Sequence, residues 1–147
     1  MSSTIDRIKL TQYVKMNEGF SPTMYKDTEG IWTVGIGFNL EEGFTMEECM
    51  LILDHRLGNL VDNVARAIPS YNRLDSVRKI VLVDMAYNLG IRGLLKFRKM
   101  LAAIQRRDFE DAAKELLNSR YAAQVGGRAQ RNARMMETGE WYDAISN

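Results

Sequence analysis

Three side chains that could carry out acid–base chemistry lie within one short segment of the chain. Glu18 and Asp27 are carboxylates separated by eight residues, and five residues separate Asp27 from the hydroxyl of Thr33. Cleavage of a glycosidic bond needs two carboxyl groups, because one protonates the leaving oxygen while the other handles water or the developing cation. With 19 acidic residues in the chain, such a pair also arises easily by chance. Spacing alone therefore leaves open that both are ordinary surface acids.

A β-hairpin is the element that would position these groups. Asp27-Thr28-Glu29-Gly30 is a turn signal, because Gly30 can adopt a positive φ without a steric penalty. Residues that favour strands flank the turn, namely Tyr25 before it and Ile31, Trp32, Thr33, Val34 and Ile36 after it. Thr33 should then lie on the strand that returns past Asp27. The glycines in Thr33–Gly37 would leave room for a ligand or another backbone to approach this strand closely.

Helices are predicted on both sides of the hairpin. Ser2-Ser3-Thr4 offers N-caps for a first helix that ends near Gly19, which places Glu18 at the carboxyl end of that helix. Thr45 and Glu48 have the capping-box spacing. A long helix should follow them to Ala67, because Pro69 prevents much continuation.

The second half of the chain is predicted to be helical. Leu74–Leu89 is apolar enough for a buried helix closed by Gly90, with a short parallel-sheet strand as the competing interpretation. Gly93 indicates another break. The remaining predicted helices are Phe97–Arg107, Phe109–Leu117 with Asp108 as its cap, and a last helix that follows Gly126-Gly127, reaches about Thr138 and is stopped by Gly139.

Composition limits the possible chemistry and partners. The single cysteine, Cys49, cannot form an intrachain disulfide, and the single histidine, His55, rules out histidine-rich zinc chemistry. No signal peptide or transmembrane span is recognisable. The net charge of +1 combines −4 over residues 1–67 (6 basic, 10 acidic) with +5 over residues 68–147 (14 basic, 9 acidic). The basic half is either a solvated surface or a surface that attracts an acidic polymer, nucleic acid included.

The segment EGF…YKDTEGIWTVGIG, with its Glu18-x8-Asp27-x5-Thr33 spacing, resembles the Glu-Asp-Thr motif of the phage-type lysozymes, glycoside hydrolase family 24. The resemblance extends through most of the chain. LDSVRKIVLVDMAYNLGIRGLLKFRKML is similar to the central buried helix of that family and the helix after it, and DAAKELLNSRYAAQVGGRAQRNARMMETGEW is similar to its carboxyl-terminal part.

The resemblance implies roles for individual residues. Glu18 would be the general acid, while Asp27 and Thr33 would position and activate the attacking water, with inversion at the anomeric carbon. Supporting pairs would join Arg128 to Glu18 and Arg120 to Glu29. Tyr87 would line the cleft, and the other substrate contacts implied are Asn39, Met100 and Glu115.

The sequence departs from the family pattern at several positions. Phe38 stands where the family often has histidine, and Asn17 occupies a position that is commonly acidic. Met100 and Glu115 replace polar, uncharged residues, and the segment from Asn39 to Phe44 is shorter than its counterpart. These differences concern substrate contacts rather than the three catalytic positions.

The resemblance implies an α+β, lysozyme-like fold in a single domain, residues 1–147. A small β-hairpin lobe, about 15–45, would be joined by a helix, about 46–67, to a helical lobe, about 68–147, against which the first helix packs. The implied function is a muramidase or endolysin, with bacterial peptidoglycan as partner and neither cofactor nor metal. The enzyme would be a monomer without nucleic-acid binding or stable membrane insertion, made in host cytoplasm and acting on the wall after release. The alternative is a catalytically weak wall-binding domain of a phage tail, prophage or toxin.

Overall fold

A computed structural model of the protein describes residues 4–145, which form a mostly helical structure with one small antiparallel sheet. The α+β, lysozyme-like fold class predicted from the sequence is confirmed. The chain divides into two compact units, Met1–Leu51 and Ile52–Asn147. The predicted lobe boundaries, and the packing of the first helix on the helical lobe, stay predictions.

The first unit begins with helix α1, Arg7–Glu18. Its N-cap is Asp6, whose carboxylate accepts a hydrogen bond from the backbone N–H of Lys9 at 3.0 Å. The prediction of a cap within Ser2-Ser3-Thr4 is wrong for Thr4, because the helix begins at Arg7 and its cap is Asp6; Ser2 and Ser3 lie outside the described residues. The sequence did not single out Asp6, because Ser, Thr and Asp are all good caps. In addition, the first apolar residue, Ile5, comes before Asp6, which suggested an earlier start of the helix.

Three strands follow, β1 at Ser21–Lys26, β2 at Trp32–Gly35 and β3 at Phe38–Asn39, in the sheet order β1-β2-β3. The predicted first hairpin is confirmed, since Tyr25 pairs with Thr33 in antiparallel register. The prediction of Ile36 as a strand residue is wrong. Gly35 and Gly37 both have a φ of 68°, so the chain turns here and returns as β3. Positive φ values at two nearby glycines outweigh the strand preference of one β-branched residue.

Helix α2, Met46–Ala67, begins in the first unit and continues into the second. The predicted capping box is present: the Thr45 N–H donates to Oε1 of Glu48 at 2.9 Å, and the Glu48 N–H donates to Oγ1 of Thr45 at 3.1 Å. Hydrogen bonds from Thr45 also hold the pKa of Glu48 below its ordinary value. The predicted end of the helix at Ala67 is confirmed.

The second unit is built from helices α3, Ser76–Leu95; α4, Arg98–Gln105; α5, Phe109–Leu117; α6, Arg120–Val125; α7, Gly127–Thr138; and α8, Tyr142–Ile145. A 3-10 turn, Tyr71–Arg73, precedes them. Helix α5 packs against α4 and α7, and α3 packs against α7. Fully buried side chains from several of these helices form the core, among them Leu82, Met85, Leu94, Met100, Ile104, Leu116 and Met136.

Helix α3 settles the choice between helix and strand for the apolar run Leu74–Leu89. Val81, Leu82, Met85 and Ala86 are buried on one face at helical spacing. Gly90 interrupts the helix with a φ of 77°, as the sequence indicated, but Gly93 is helical and does not mark a further break.

The other predicted helices agree with the structure in most respects. The Asp108 cap and the end of α7 at Gly139, which has a left-handed φ of 73°, are confirmed. Helix α4 is shorter than predicted, and α7 is not the last helix, because α8 follows it. Within residues 4–145, no helix is long and apolar enough to cross a membrane.

Candidate active site

Glu18 is the last residue of α1 and lies against the glycine turn that joins β2 to β3. Gly19 caps the helix with a φ of 71°, and its N–H donates to the carbonyl of Lys15 at 2.8 Å. The Glu18 side chain then passes directly over Gly37. A Cβ placed on Gly37 would lie 2.7 Å from Cδ and 3.1 Å from Cγ of Glu18, with Oε2 nearer still. The sequence predicted room here for a ligand or another backbone, and the group that lies closest to Gly37 is instead the Glu18 side chain.

Asp27 holds the turn of the first hairpin together. Its Oδ1 accepts hydrogen bonds from the backbone N–H groups of Glu29, at 2.8 Å, and Ile31, at 2.9 Å. The carbonyl of Asp27 accepts from the N–H of Gly30 at 3.0 Å, and Gly30 has the predicted positive φ, 81°. Both side-chain bonds use Oδ1, so the other carboxylate oxygen, Oδ2, is the one that could accept a hydrogen bond from water.

Thr33 lies on the same face of the hairpin as Asp27. Thr33 pairs with Tyr25, and the Asp27 N–H donates to the carbonyl of Ile31, which places Asp27 opposite Ile31. Because side chains alternate between the two faces of a strand, residues 25 and 27 share a face with residues 31 and 33. Thr33 is 5% exposed, and its Oγ1 donates to the carbonyl of Ile31 at 3.0 Å. The hydroxyl oxygen can still accept a hydrogen bond from water.

Asn39, a predicted substrate contact, pairs with Thr33 across β2 and β3. Its Oδ1 accepts a hydrogen bond from the N–H of Glu41 at 2.8 Å, which fixes the end of the strand. The side-chain NH2 group of Asn39 is not involved in that hydrogen bond and can donate to a ligand. The sheet therefore presents Tyr25, Thr33 and Asn39 as one row of neighbouring side chains.

In the second unit, a cavity of about 730 Å³ is lined by three of the residues implied by the resemblance, Met100, Glu115 and Arg120. Met100 is buried and Glu115 is half-buried. Four cationic side chains line the same cavity as this single carboxylate, namely Lys96, Arg98, Lys99 and Arg120. The cavity has the size of a small-ligand site and a positive charge balance.

A second cavity of about 530 Å³ in the same unit is lined by Tyr87 and Arg128. Its walls are mainly apolar side chains of α2 and α3. Tyr87 is 51% exposed, so its ring is available to a ligand.

Arg128 belongs to a polar network that sequence reasoning missed. Its Nε donates to Oδ2 of Asp84 at 2.9 Å and its Nη2 to Oδ1 at 2.6 Å, while the Asn132 amide donates to Oδ2 at 2.9 Å and to the Tyr121 hydroxyl at 3.2 Å. Burial opposes ionisation of Asp84, but the bonds from Arg128 and Asn132 outweigh it and lower the pKa of this carboxyl. A lone acid within the apolar run IVLVDMAY was the available signal, since a charge in a buried helix needs a partner.

The predicted pairs Arg128–Glu18 and Arg120–Glu29 each join a residue of one unit to a residue of the other, and both stay predictions. Glu29 itself is exposed in the Asp27 turn. The structure groups Glu18, Asp27, Thr33 and Asn39 within the first unit, and Met100, Glu115 and Arg120 within the second. In the part of the chain that the structure describes, no three His, Cys, Asp or Glu side chains are arranged to hold a metal ion.

Known proteins similar to this chain include eukaryotic and phage proteins. It is 30% identical to the probable T4-type lysozyme 2 of Dictyostelium discoideum, over 88% of this chain and 94% of that protein. It is 31% identical to the SAR-endolysin of Enterobacteria phage P21, over 71% of this chain and 65% of that protein. It is 25% identical to the pre-baseplate central spike protein Gp5 of Enterobacteria phage T4, over 90% of this chain but only 28% of that protein.

The family profile described as Phage lysozyme matches residues 15–137. This range contains Glu18, Asp27 and Thr33 as well as most of the second unit. The chain therefore belongs to the phage lysozyme family and is a glycoside hydrolase of the lysozyme type.

Proposed function

We propose that the protein is an inverting muramidase, with Glu18 as its general acid and Asp27 and Thr33 as the residues that hold the attacking water. Its substrate is the β-1,4 bond between N-acetylmuramic acid and N-acetylglucosamine in bacterial peptidoglycan. The observation that carries this assignment is the shared hairpin face of Asp27 and Thr33 within the unit that also holds Glu18. Membership of the phage lysozyme family supports the reaction class.

Glu18 suits the role of proton donor. Its carboxyl group comes at the end of α1, and its side chain is exposed and reaches over the turn at Gly37. In the reaction, the carboxyl proton passes to the bridging oxygen as the bond from that oxygen to the anomeric carbon breaks. General acid catalysis of this kind contributes about 10² to 10⁴-fold to the rate.

Asp27 and Thr33 suit the handling of water. With Oδ1 of Asp27 committed to the turn, Oδ2 accepts one proton of a water while Oγ1 of Thr33 accepts the other as a hydrogen bond. The water oxygen attacks the anomeric carbon on the face opposite the leaving oxygen, and its proton passes to Asp27. The new reducing sugar is therefore released as its α-anomer. Such a mechanism requires carboxyl groups about 6.5 to 9.5 Å apart, so that water fits between them and the sugar.

The wall contacts and biological setting follow from the same assignment. Tyr87, Asn39 and Glu115 bind the glycan and its substituents, whereas Met100 is buried in the core. The supporting roles of Arg120 for Glu29 and of Arg128 for Glu18 stay predictions. The enzyme works as a monomer without a cofactor, and it reaches the wall after synthesis in the host cytoplasm. The named relatives include an endolysin, which supports a role in releasing phage from the cell.

The test is analysis of the fresh products of purified peptidoglycan. We expect mass spectrometry to show fragments that end in reducing N-acetylmuramic acid, and ¹H NMR recorded during the reaction to show the α-anomer first. Initial appearance of the β-anomer would contradict inversion and the role given to Thr33. Fragments with 1,6-anhydro ends, or free peptides with intact glycan, would contradict hydrolysis of this bond.

A further inference from the structure

Gly37 lies against the side chain of Glu18, the proposed general acid. The clash that a Cβ on Gly37 would create involves Oε2, Cδ and Cγ of Glu18. A rotation of the terminal carboxylate alone could not relieve it, because Cδ does not move in that rotation and lies only 2.7 Å from the position of that Cβ. The carboxyl group of Glu18, Cδ included, would have to move to a new position, with a small adjustment at Cγ.

Two features of the first unit determine whether the Glu18 side chain or the backbone at Gly37 would move to relieve this clash. Glu18 is exposed, so its side chain can swing away without disrupting packing. Gly37 lies in a short turn between paired strands, where Val34 pairs with Phe38, so the backbone at this position is held by the sheet. The side chain, rather than the turn, will therefore yield.

Building on the assignment of Glu18 as general acid, we propose that Gly37 is a positioning residue for catalysis: the space left by its missing side chain determines where the Glu18 carboxyl group lies. The turn geometry requires only a residue that tolerates a φ of 68°, and the same requirement holds at Gly35. Position 37 has a second requirement, because a side chain there would also clash with Glu18.

Other glycines of the same unit provide matched controls. Gly43, with a φ of 72°, has no atom within 4 Å of an added Cβ, so Gly43→Ala introduces backbone strain without a clash. Gly35, with a φ of 68°, would place its Cβ 2.8 Å from the ring of Phe38 rather than near Glu18. Gly37→Ala adds the contact with Glu18 to the same backbone strain.

The experiment compares kcat, KM and melting temperature for the three alanine variants of the whole protein. We expect Gly37→Ala to lower kcat by about 100-fold with little change in KM, since a misplacement of about 1 Å can cost that much. Its melting temperature should fall no further than that of Gly35→Ala. Gly43→Ala should keep the activity of the unmodified protein. A kcat for Gly37→Ala as high as that for Gly43→Ala would overturn the proposal.

Asparagine variants and an NMR measurement complete the kinetic comparison of the alanine variants. Asparagine tolerates positive φ better than alanine, so Gly37→Asn and Gly43→Asn replace the alanine pair if Gly37→Ala does not fold. The carboxyl ¹³C resonance of Glu18, assigned by its loss in Glu18→Gln, should shift in the position-37 variant and not in the position-43 variant. An unchanged resonance would overturn the positioning role. Activity in Glu18→Gln would instead refute the proposed function, because it would show that Glu18 is not the acid.

Discussion

Asp84 and Arg128, 44 residues apart in the sequence, form a two-pronged ion pair, with Nε donating to Oδ2 at 2.9 Å and Nη2 to Oδ1 at 2.6 Å. Each side chain is 33% exposed, so the pair is partly shielded from water. It fixes α7 to α3, and Asn132, which is 3% exposed, completes the coordination of the carboxylate from the same helix as Arg128.

We expect Asp84→Asn to lower the free energy of unfolding at pH 7 by about 2 kcal/mol, the scale of a hydrogen bond to a charged group. The lowered pKa of Asp84 means that its ionised form is favoured in the folded protein, relative to its ordinary value of 3.8. Its contribution is therefore present above about pH 4 and is lost as the pH falls through the folded pKa.

Urea unfolding of the protein and of Asp84→Asn at several pH values measures this effect. The difference between the two proteins should shrink as the solution becomes more acidic than pH 4. Asp54→Asn, at an exposed position on α2, is the control and should show no comparable difference. A constant difference for Asp84→Asn across the whole range would mean that the ion pair is not its origin.

The second prediction ranks the two residues assigned to water. Asp27→Ala should reduce kcat more than Thr33→Ala, because Asp27 takes the proton while Thr33 only orients the water. Since Oδ1 of Asp27 also supports the turn, Asp27→Asn is the sharper variant: it retains an oxygen acceptor for the two backbone N–H groups and removes the charge.

Steady-state kinetics and thermal unfolding of these variants test the division of roles. Asp27→Asn should be nearly as stable as the unmodified protein yet strongly impaired in kcat. Thr33→Ser, which retains the hydroxyl, serves as the control for Thr33→Ala. If Thr33→Ala proved more damaging to kcat than Asp27→Ala, the roles given to the two side chains would have to be exchanged.

The third prediction concerns the basic part of the second unit. Residues 92–134 contain 11 Lys and Arg against 4 Asp and Glu, a surplus of +7, and four of these cations line the cavity of about 730 Å³. Electrostatic attraction is screened beyond about 8 Å at physiological ionic strength and about 3 Å at 1 M salt. Lysis of whole walls should therefore fall steeply with added salt, while cleavage of a short neutral chitin-type oligosaccharide changes little.

Charge-reversal variants test whether the cations at the cavity cause the salt dependence of wall lysis. Lys99→Glu, at the cavity, should weaken wall lysis at low salt more than Arg56→Glu, which makes the same charge change on α2 away from the cavity. Initial rates on both substrates from low to high salt provide the measurement. Parallel loss of both activities with salt, or equal effects of the two reversals, would show that the basic residues only solvate the surface.

Local patterns predicted much of this fold from the sequence. The Thr45–Glu48 capping box, the Asp108 cap and the Gly139 stop depend on neighbouring residues and specific backbone angles, so they can be recognised without tertiary information. Where two local signals competed, prediction was less successful: at Ile36 the positive φ of the adjacent glycines prevailed over strand preference.

Long-range contacts were the part that the sequence could not supply. Periodicity shows that Asp84 lies in a buried helix, but nothing near it in sequence indicates Arg128 or Asn132 as partners. Similarly, the glycines predicted room for a ligand or another backbone beside the strand, whereas the structure shows that the group close to Gly37 is the Glu18 side chain. For Asp27 and Thr33, alternation along paired strands is enough to predict a shared face once the register is known.

The most direct test of the proposed mechanism is the rate of wall hydrolysis by Glu18→Gln, beside Glu47→Gln as a control at an exposed acid of the same unit. The amide has nearly the shape of the carboxyl group but cannot donate a proton to the leaving oxygen. We expect Glu18→Gln to retain its fold by circular dichroism and melting temperature and to lose about 10² to 10⁴-fold in kcat, with Glu47→Gln fully active. A folded Glu18→Gln variant that lysed walls as fast as Glu47→Gln would contradict the assignment of Glu18 as the general acid.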